Sequence, residues 1–171
     1  MPAAMSDSLL PADVFALAER VVAENKAAGR TIALAESCTG GLVAAALTEV
    51  AGSSAVFDRG FVTYSNEAKM ELLGVPESLL DAFGAVSVAT AWAMAQGALT
   101  HSNADIAVAI SGIAGPDGGS TQRPVGTVVF ARAIRGSDSE HVDAEEQRLD
   151  GSSRSGVRHQ AALIALELLL P

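Results

Sequence analysis

Cysteine is nearly absent from this sequence. Cys38 stands alone among 171 residues, so no internal disulfide can form, and no Cys/His spacing marks a structural zinc site. Long hydrophobic runs are missing too. The longest, Leu163–Leu170, is interrupted by Glu167 and falls short of the roughly 18 residues that suggest a membrane span. Residues Met1–Leu10 carry no basic stretch, apolar core or cleavage-like site, so nothing supports a secretory signal, and a cytoplasmic location is expected. Positive charge is in short supply: 11 Lys and Arg against 20 Asp and Glu give a net charge of −9. That balance excludes general binding to nucleic acid or to an anionic membrane, both of which depend on summed positive charge. An anionic substrate would need a local cluster of arginine or backbone N–H groups.

What is present is apolar and structured. Hydrophobic residues make up 49% of the chain and charged residues only 18%, a profile unlike that of disordered chains. This length supports one sizeable core. Residues 1–10 read as a flexible N-terminal segment, residues 11–171 as a single domain, and residues 136–139 as a second flexible stretch.

Val14, Leu17, Ala18, Val21 and Val22 follow helical spacing, and Gly29 can stop that helix. Thr31–Ala35 reads as a buried strand, followed by a turn and an Ala-rich helix to about Val50. Val56–Ser65 reads as a second strand region, Asn66 as the cap of a short helix carrying Lys69, and Ser87 as the cap of a helix through Trp92 to about Leu99. Ile106–Ile110 is continuously apolar, as a central strand covered on both faces should be. Val125–Ile134 and Val142–Leu149 read as two further strands, the second polar enough for an edge. Val157, Ala161, Ile164, Ala165 and Leu168 mark a closing amphipathic helix. The alternation predicts a three-layer α/β/α sandwich with a mixed, mostly parallel central sheet.

Three segments can carry chemistry. In Ala35-Glu36-Ser37-Cys38-Thr39-Gly40-Gly41, hydroxyls and glycines sit where a strand turns into a helix. Helix-start N–H groups there can hold a phosphate or a developing oxyanion, and Ser37 is the candidate nucleophile. An ordinary helix cap with a tight turn is the commoner explanation of such a segment taken alone. Neither Gly-x-Ser-x-Gly nor the phosphate-loop Gly-Lys-Ser/Thr pattern is present. Gly60-Phe61-Val62-Thr63-Tyr64-Ser65-Asn66-Glu67-Ala68-Lys69 offers a base, since a lysine can activate a serine once burial lowers its pKa. An exposed helix lysine is the usual alternative. His101, His141 and His159 lie in polar surroundings and offer no better base. Ser111-Gly112-Ile113-Ala114-Gly115-Pro116-Asp117-Gly118-Gly119 follows the central strand, where open α/β sheets bind ligands, although a surface turn uses the same residues. Arg154 and Arg158, four apart, share a helix face and could grip phosphate, though solvated surface arginines are commoner.

Together these three segments with Gly84-Ala85-Val86-Ser87 and Pro124-Val125-Gly126-Thr127-Val128 closely resemble the CinA C-terminal domain family, in order from about residue 11 to residue 170. The resemblance implies a stand-alone nicotinamide-nucleotide amidohydrolase of pyridine nucleotide recycling, converting nicotinamide mononucleotide to nicotinate mononucleotide and ammonia without cofactor or metal. Longer members carry an additional N-terminal domain, for which this chain leaves no room. By the same resemblance Ser37 is the nucleophile, Lys69 its base, and Tyr64 assists proton transfer or orientation. Thr39, Gly40 and Gly41 would bind substrate at the helix start, Ser111, Gly112 and Gly115 would form the facing wall, and Arg154 would hold phosphate. Around Arg154 the match departs from the family pattern, because Ser152 and Ser153 stand where an acidic or amide residue often precedes the arginine. The competing expectations are a non-catalytic competence- or DNA-damage-related interaction module and a nucleotide sensor. Homo-oligomerisation is left open.

Overall fold

The large and small residues of the central strands alternate, and that alternation sets the layers. In the computed structural model, which describes residues 7–138 and 140–171, β1 (Ile32–Glu36) and β3 (Ile106–Gly112) lie side by side and parallel, Ile32 opposite Ile106 and Glu36 opposite Ile110. Ile32, Leu34, Ile106, Val108 and Ile110 face one way, into a core shared with α1 (Ala12–Ala28), α2 (Leu42–Glu49) and α6 (Arg154–Leu168). Ala33, Ala35, Ala107 and Ala109 face the other way, where only small side chains let α5 (Val88–Thr100) settle closely on the sheet. Glycine has the same use inside α5: a Cβ on Gly97 would collide with the Leu73 carbonyl oxygen of α3 (Asn66–Leu73).

The sheet has five strands in the order β2-β1-β3-β4-β5. β2 (Phe57–Val62) runs parallel to β1; β4 (Thr127–Ile134) runs antiparallel to β3, and β5 (Ala144–Arg148) antiparallel to β4. The sheet is therefore mixed, with β4 alone running against the other four, as the strand pattern predicted. Helices cover both faces, which completes the expected α/β/α sandwich.

Several boundaries differ from the sequence reading for identifiable reasons. The cap of α3 is Ser65, whose Oγ accepts from the Ala68 N–H at 3.0 Å, and Asn66 is already helical. A hydroxyl one residue earlier captures the orphan amide first. The short helix α4 (Glu77–Phe83) was not anticipated; seven residues between Pro76 and Gly84 give too few turns for a periodic signal. β4 begins at Thr127 because Gly126 turns with φ +97. Gly29, with φ +64, and Ser87, whose Oγ accepts from Thr90 N–H, end α1 and start α5 as expected. Of the segments expected to be flexible, residues 1–6 and Ser139 lie outside the described residues. Within residues 7–10, the Leu9 N–H donates to Glu49 at 2.8 Å and Leu10 packs on the core. No helix among the described residues is long and apolar enough to cross a membrane.

Candidate active site

Because β1, β2 and β3 run in the same direction, their carboxyl ends meet at one edge of the sheet, where side chains are freed from the ladder and can converge. Ser37 directly follows β1 and still continues its pairing, its N–H donating to the Ile110 carbonyl at 2.9 Å. Thr63, just after β2, donates its N–H to the Glu36 carbonyl at 2.8 Å. The backbone then turns into α3, whose first full turn brings Lys69 back over the end of β1. Two consecutive left-handed glycines, Gly40 (φ +59) and Gly41 (φ +98), reverse the chain from Ser37 into α2, a conformation that residues with a Cβ rarely adopt.

Lys69 does not stand on the surface. It is 1% exposed, and its Nζ lies 3.0 Å from Ser37 Oγ, 2.8 Å from the Thr63 carbonyl and 3.1 Å from the Tyr64 carbonyl. Burial pushes its pKa below the ordinary lysine value, because the ammonium loses its hydration. The three partners suit either protonation state. An ammonium donates to all three, whereas a neutral amine donates to the two carbonyls and keeps its lone pair for the Ser37 hydroxyl proton. Cys38, adjacent to Ser37, is also buried, and burial pushes its thiol up to about 11. At neutral pH it remains protonated and a weak nucleophile.

These groups open into a cavity of about 160 Å³ lined by Ser37, Cys38, Tyr64, Lys69, Ala85, Val86, Ser111, Gly112, Ala114 and Arg154. Five of the predicted site residues on four separate segments therefore meet around Lys69. Ser111 Oγ donates to the Ala85 carbonyl at 2.8 Å and so fixes the wall opposite Ser37. Arg154, at the start of α6, donates to the Gly115 carbonyl at 2.7 Å and to the Tyr64 hydroxyl at 3.2 Å. Tyr64 is 64% exposed and meets Lys69 through its carbonyl, while its ring and hydroxyl stand at the mouth beside Arg154. Gly115 contributes that carbonyl rather than cavity wall.

The helix-start residues are placed differently from expectation. Thr39 is fully buried, and neither it nor Gly40 nor Gly41 lines the cavity. The start of α2 is also not an open anion site. Val43 and Ala44 N–H groups donate to the two carboxylate oxygens of Glu36, each at 3.0 Å, and Gly40 and Leu42 N–H groups go to the Ser37 and Thr39 carbonyls. A phosphate there would meet an anion already in place. The Cys38, Thr39 and Gly41 N–H groups have no protein acceptor among the described residues. Arg158 faces away from the cavity and donates to the Cys38 and Thr39 carbonyls at 3.1 and 3.2 Å, so of the two α6 arginines only Arg154 lines the cavity.

Glu36 had no assigned role in the sequence reading. Its signal was nevertheless there: one acid ends an otherwise apolar strand just before a helix whose start lacks a side-chain cap. Among the described residues, no group of three or more His, Cys, Asp or Glu is disposed to hold a metal ion.

A family model described as the CinA C-terminal domain matches residues 14–171. The chain is 49% identical over 165 residues to the nicotinamide-nucleotide amidohydrolase PncC of Escherichia coli K12, covering 96% of this chain and 95% of that protein. It is 53% identical over 154 residues to the protein of the same name from Enterobacter agglomerans, covering 90% and 92%. Other relatives are longer, and the chain spans about a third of their length. The crystal structure of competence/damage inducible protein CihA from Agrobacterium tumefaciens superposes with a TM-score of 0.90 at 50% identity, over 95% of this chain and 96% of that one.

Proposed function

This chain belongs to the CinA C-terminal domain family, and from that premise we propose that it hydrolyses the carboxamide of nicotinamide mononucleotide to nicotinate mononucleotide and ammonia, as a step of pyridine nucleotide recycling. The names of relatives near 50% identity that it matches almost end to end support the reaction. One observation supports the chemistry above the rest: a lysine amine, 1% exposed, 3.0 Å from a serine hydroxyl at the base of a cavity.

In this reading, neutral Lys69 accepts the Ser37 proton as Oγ attacks the carboxamide carbon. The developing oxyanion is received by the N–H groups of Cys38 and Thr39, two of the three loop amides left without a protein acceptor. Lys69, now an ammonium, passes its proton to the departing nitrogen, and ammonia leaves an acyl-Ser37 ester. Water then attacks the ester, Lys69 takes the water's proton and returns one to Ser37, and the nicotinate product is released. The cavity's ~160 Å³ lies below the ~300–1,000 Å³ of sites that enclose a whole drug-sized ligand. The pyridine ring and its carboxamide therefore enter, while the ribose and phosphate remain outside at Tyr64 and Arg154. Arg154 exchanges its protein acceptors for phosphate oxygens, and Tyr64 orients the nucleotide at the mouth.

Purified protein incubated with nicotinamide mononucleotide tests the reading. Ammonia and nicotinate mononucleotide should appear in equal amounts. Absence of both across a broad pH range overturns it in favour of a nucleotide sensor or an interaction module, neither of which needs an amine buried against a hydroxyl.

A further inference from the structure

We propose that Glu36 is a positioning residue for Ser37, an inference that rests on the reading of Ser37 as nucleophile. Helix α2 is preceded by Gly41, which has no side chain with which to cap it. Its cap comes instead from the preceding strand. The Glu36 carboxylate, 1% exposed, accepts from Val43 N–H and Ala44 N–H, both at 3.0 Å. The residue next to Ser37 thus grips the far end of the loop that carries Ser37, closing residues 36–44 into a ring.

The position of Glu36 in the sheet is itself fixed from both sides, through pairing with Val62 of β2 and Ile110 of β3. Lys69 reaches the site from α3, by way of the Thr63 and Tyr64 carbonyls that follow β2. The nucleophile and its base therefore sit on different supports, and the Glu36 ring sets the Ser37 support against the sheet. A local Ser or Asp cap at the start of α2 would satisfy the same amides without any link to the end of β1. The link is what a positioning role requires. Apart from Ser37 and Cys38, the cavity is lined by residues outside this loop, from Tyr64 and Lys69 to residues 85–86, the end of β3, Ala114 and Arg154, so loosening the loop displaces Ser37 from Lys69 while leaving most of the walls in place. A misplacement of about 1 Å at reacting atoms can cost on the order of 10²-fold in rate.

The test uses Glu36→Gln and Glu36→Asp, with thermal unfolding to establish that each variant is folded. Gln presents an N–H₂ to amides that need an acceptor; Asp keeps the charge but falls short by one methylene. Turnover of nicotinamide mononucleotide is measured together with the rate at which phenylmethanesulfonyl fluoride labels Ser37, read by peptide mass. In labelling, Ser37 Oγ forms a bond to sulfur, the sulfur–fluorine bond breaks, and the Oγ proton passes to Lys69. Glu36→Gln should lower kcat and the labelling rate by about 10²-fold with KM within a few-fold, and Glu36→Asp should recover part of both. A purely structural cap lowers the unfolding temperature and leaves kcat and labelling at wild-type values, and that result overturns the proposal. If Glu36→Gln does not fold, Glu36→Asp at the wild-type labelling rate overturns it equally. Wild-type protein that labels at Ser37 but releases no ammonia fails the functional reading alone; wild type that takes no label at Ser37 removes the nucleophile this proposal needs.

Discussion

Two hollows lie on either side of residues 83–88, and they differ in almost every respect. The smaller, about 160 Å³, is floored by Ser37 and Lys69 and walled by Ala85 and Val86. The larger, about 770 Å³, is an apolar groove between α4, α5 and the edge of the sheet, lined by Leu79, Phe83, Val88, Trp92 and Val142 with Arg123 and Glu146 at its polar margin. The groove is nearly five times as large and holds no buried ionisable group. Arg123 reaches back to the Phe83 carbonyl at 2.9 Å. In the small cavity, Ser37 and Lys69 meet at 3.0 Å, and Tyr64, Ser111 and Arg154 line the same space. Convergence at the carboxyl edge of a sheet marks chemistry better than volume does, since reaction needs several polar groups at one point and only separate chain segments can bring them there.

The largest effect expected from breaking this contrast is at Ser37. Ser37→Ala should retain the fold and ligand binding, because it removes one oxygen, but lose on the order of 10⁴-fold or more in kcat. Near-wild-type turnover would move the nucleophile elsewhere. Lys69→Arg follows, with a loss of at least about 10²-fold, since a guanidinium stays charged and cannot take the Ser37 proton. An unchanged rate and pH profile in that variant would reassign Lys69 to binding substrate charge.

The lowered pKa of Lys69 fixes the sign of two pH effects. Its neutral, competent form grows as pH rises, so kcat should climb along a limb centred below the usual lysine value and level off above it. Stability runs the same way. Below the folded pKa the buried ammonium weakens the fold in full; as pH rises from there toward the unfolded ~10.4, that penalty is relieved. Urea unfolding of wild type against Lys69→Met should therefore show the pH dependence in that window disappear with the amine. Equal slopes would mean that Lys69 titrates alike in both states.

A smaller effect separates the two arginines of α6. Arg154→Ala should raise KM for the mononucleotide about ten- to a hundred-fold, the equivalent of a charge-assisted hydrogen bond worth about 1.5–3 kcal/mol, with kcat little changed. Arg158→Ala, by releasing the Cys38 and Thr39 carbonyls, should instead lower kcat and thermal stability; an effect on KM alone would contradict its place behind the loop. The smallest effect is at the groove. Phe83→Ser, at a residue already 51% exposed, should leave kcat and KM within about two-fold, and a larger change would join the two hollows into one functional site.

The elements legible in advance were those whose signal is local. Gly29 ends α1 and Ser87 starts α5 through their own backbone and hydroxyl preferences, and the unbroken apolar run Ile106–Ile110 announces a strand buried on both faces. Ser37 and Lys69 were named from motifs, yet nothing in their separation of 32 residues says that Nζ and Oγ meet at 3.0 Å. Helix α4 escaped because one short helix between Pro76 and Gly84 carries no period, and nothing local shows that the Glu36 carboxylate takes the Val43 and Ala44 amides just beyond Thr39, Gly40 and Gly41.

The sequence by itself determined the layers, the end of α1, the start of α5 and the family, because apolar period, turn chemistry and motif order are properties of neighbours along the chain. The tertiary structure decided which charges are in water and which are not. Lys69 stands between a buried base and an exposed helix lysine, and Glu36 has no role, until the parallel pairing of β1 with β2 and β3 encloses both of them, and spacing alone leaves Arg154 and Arg158 equivalent until the packing of α6 aims one at the cavity and the other at a carbonyl. Burial and direction depend on which distant segments come to lie against a residue, and so they exist only once the chain has folded.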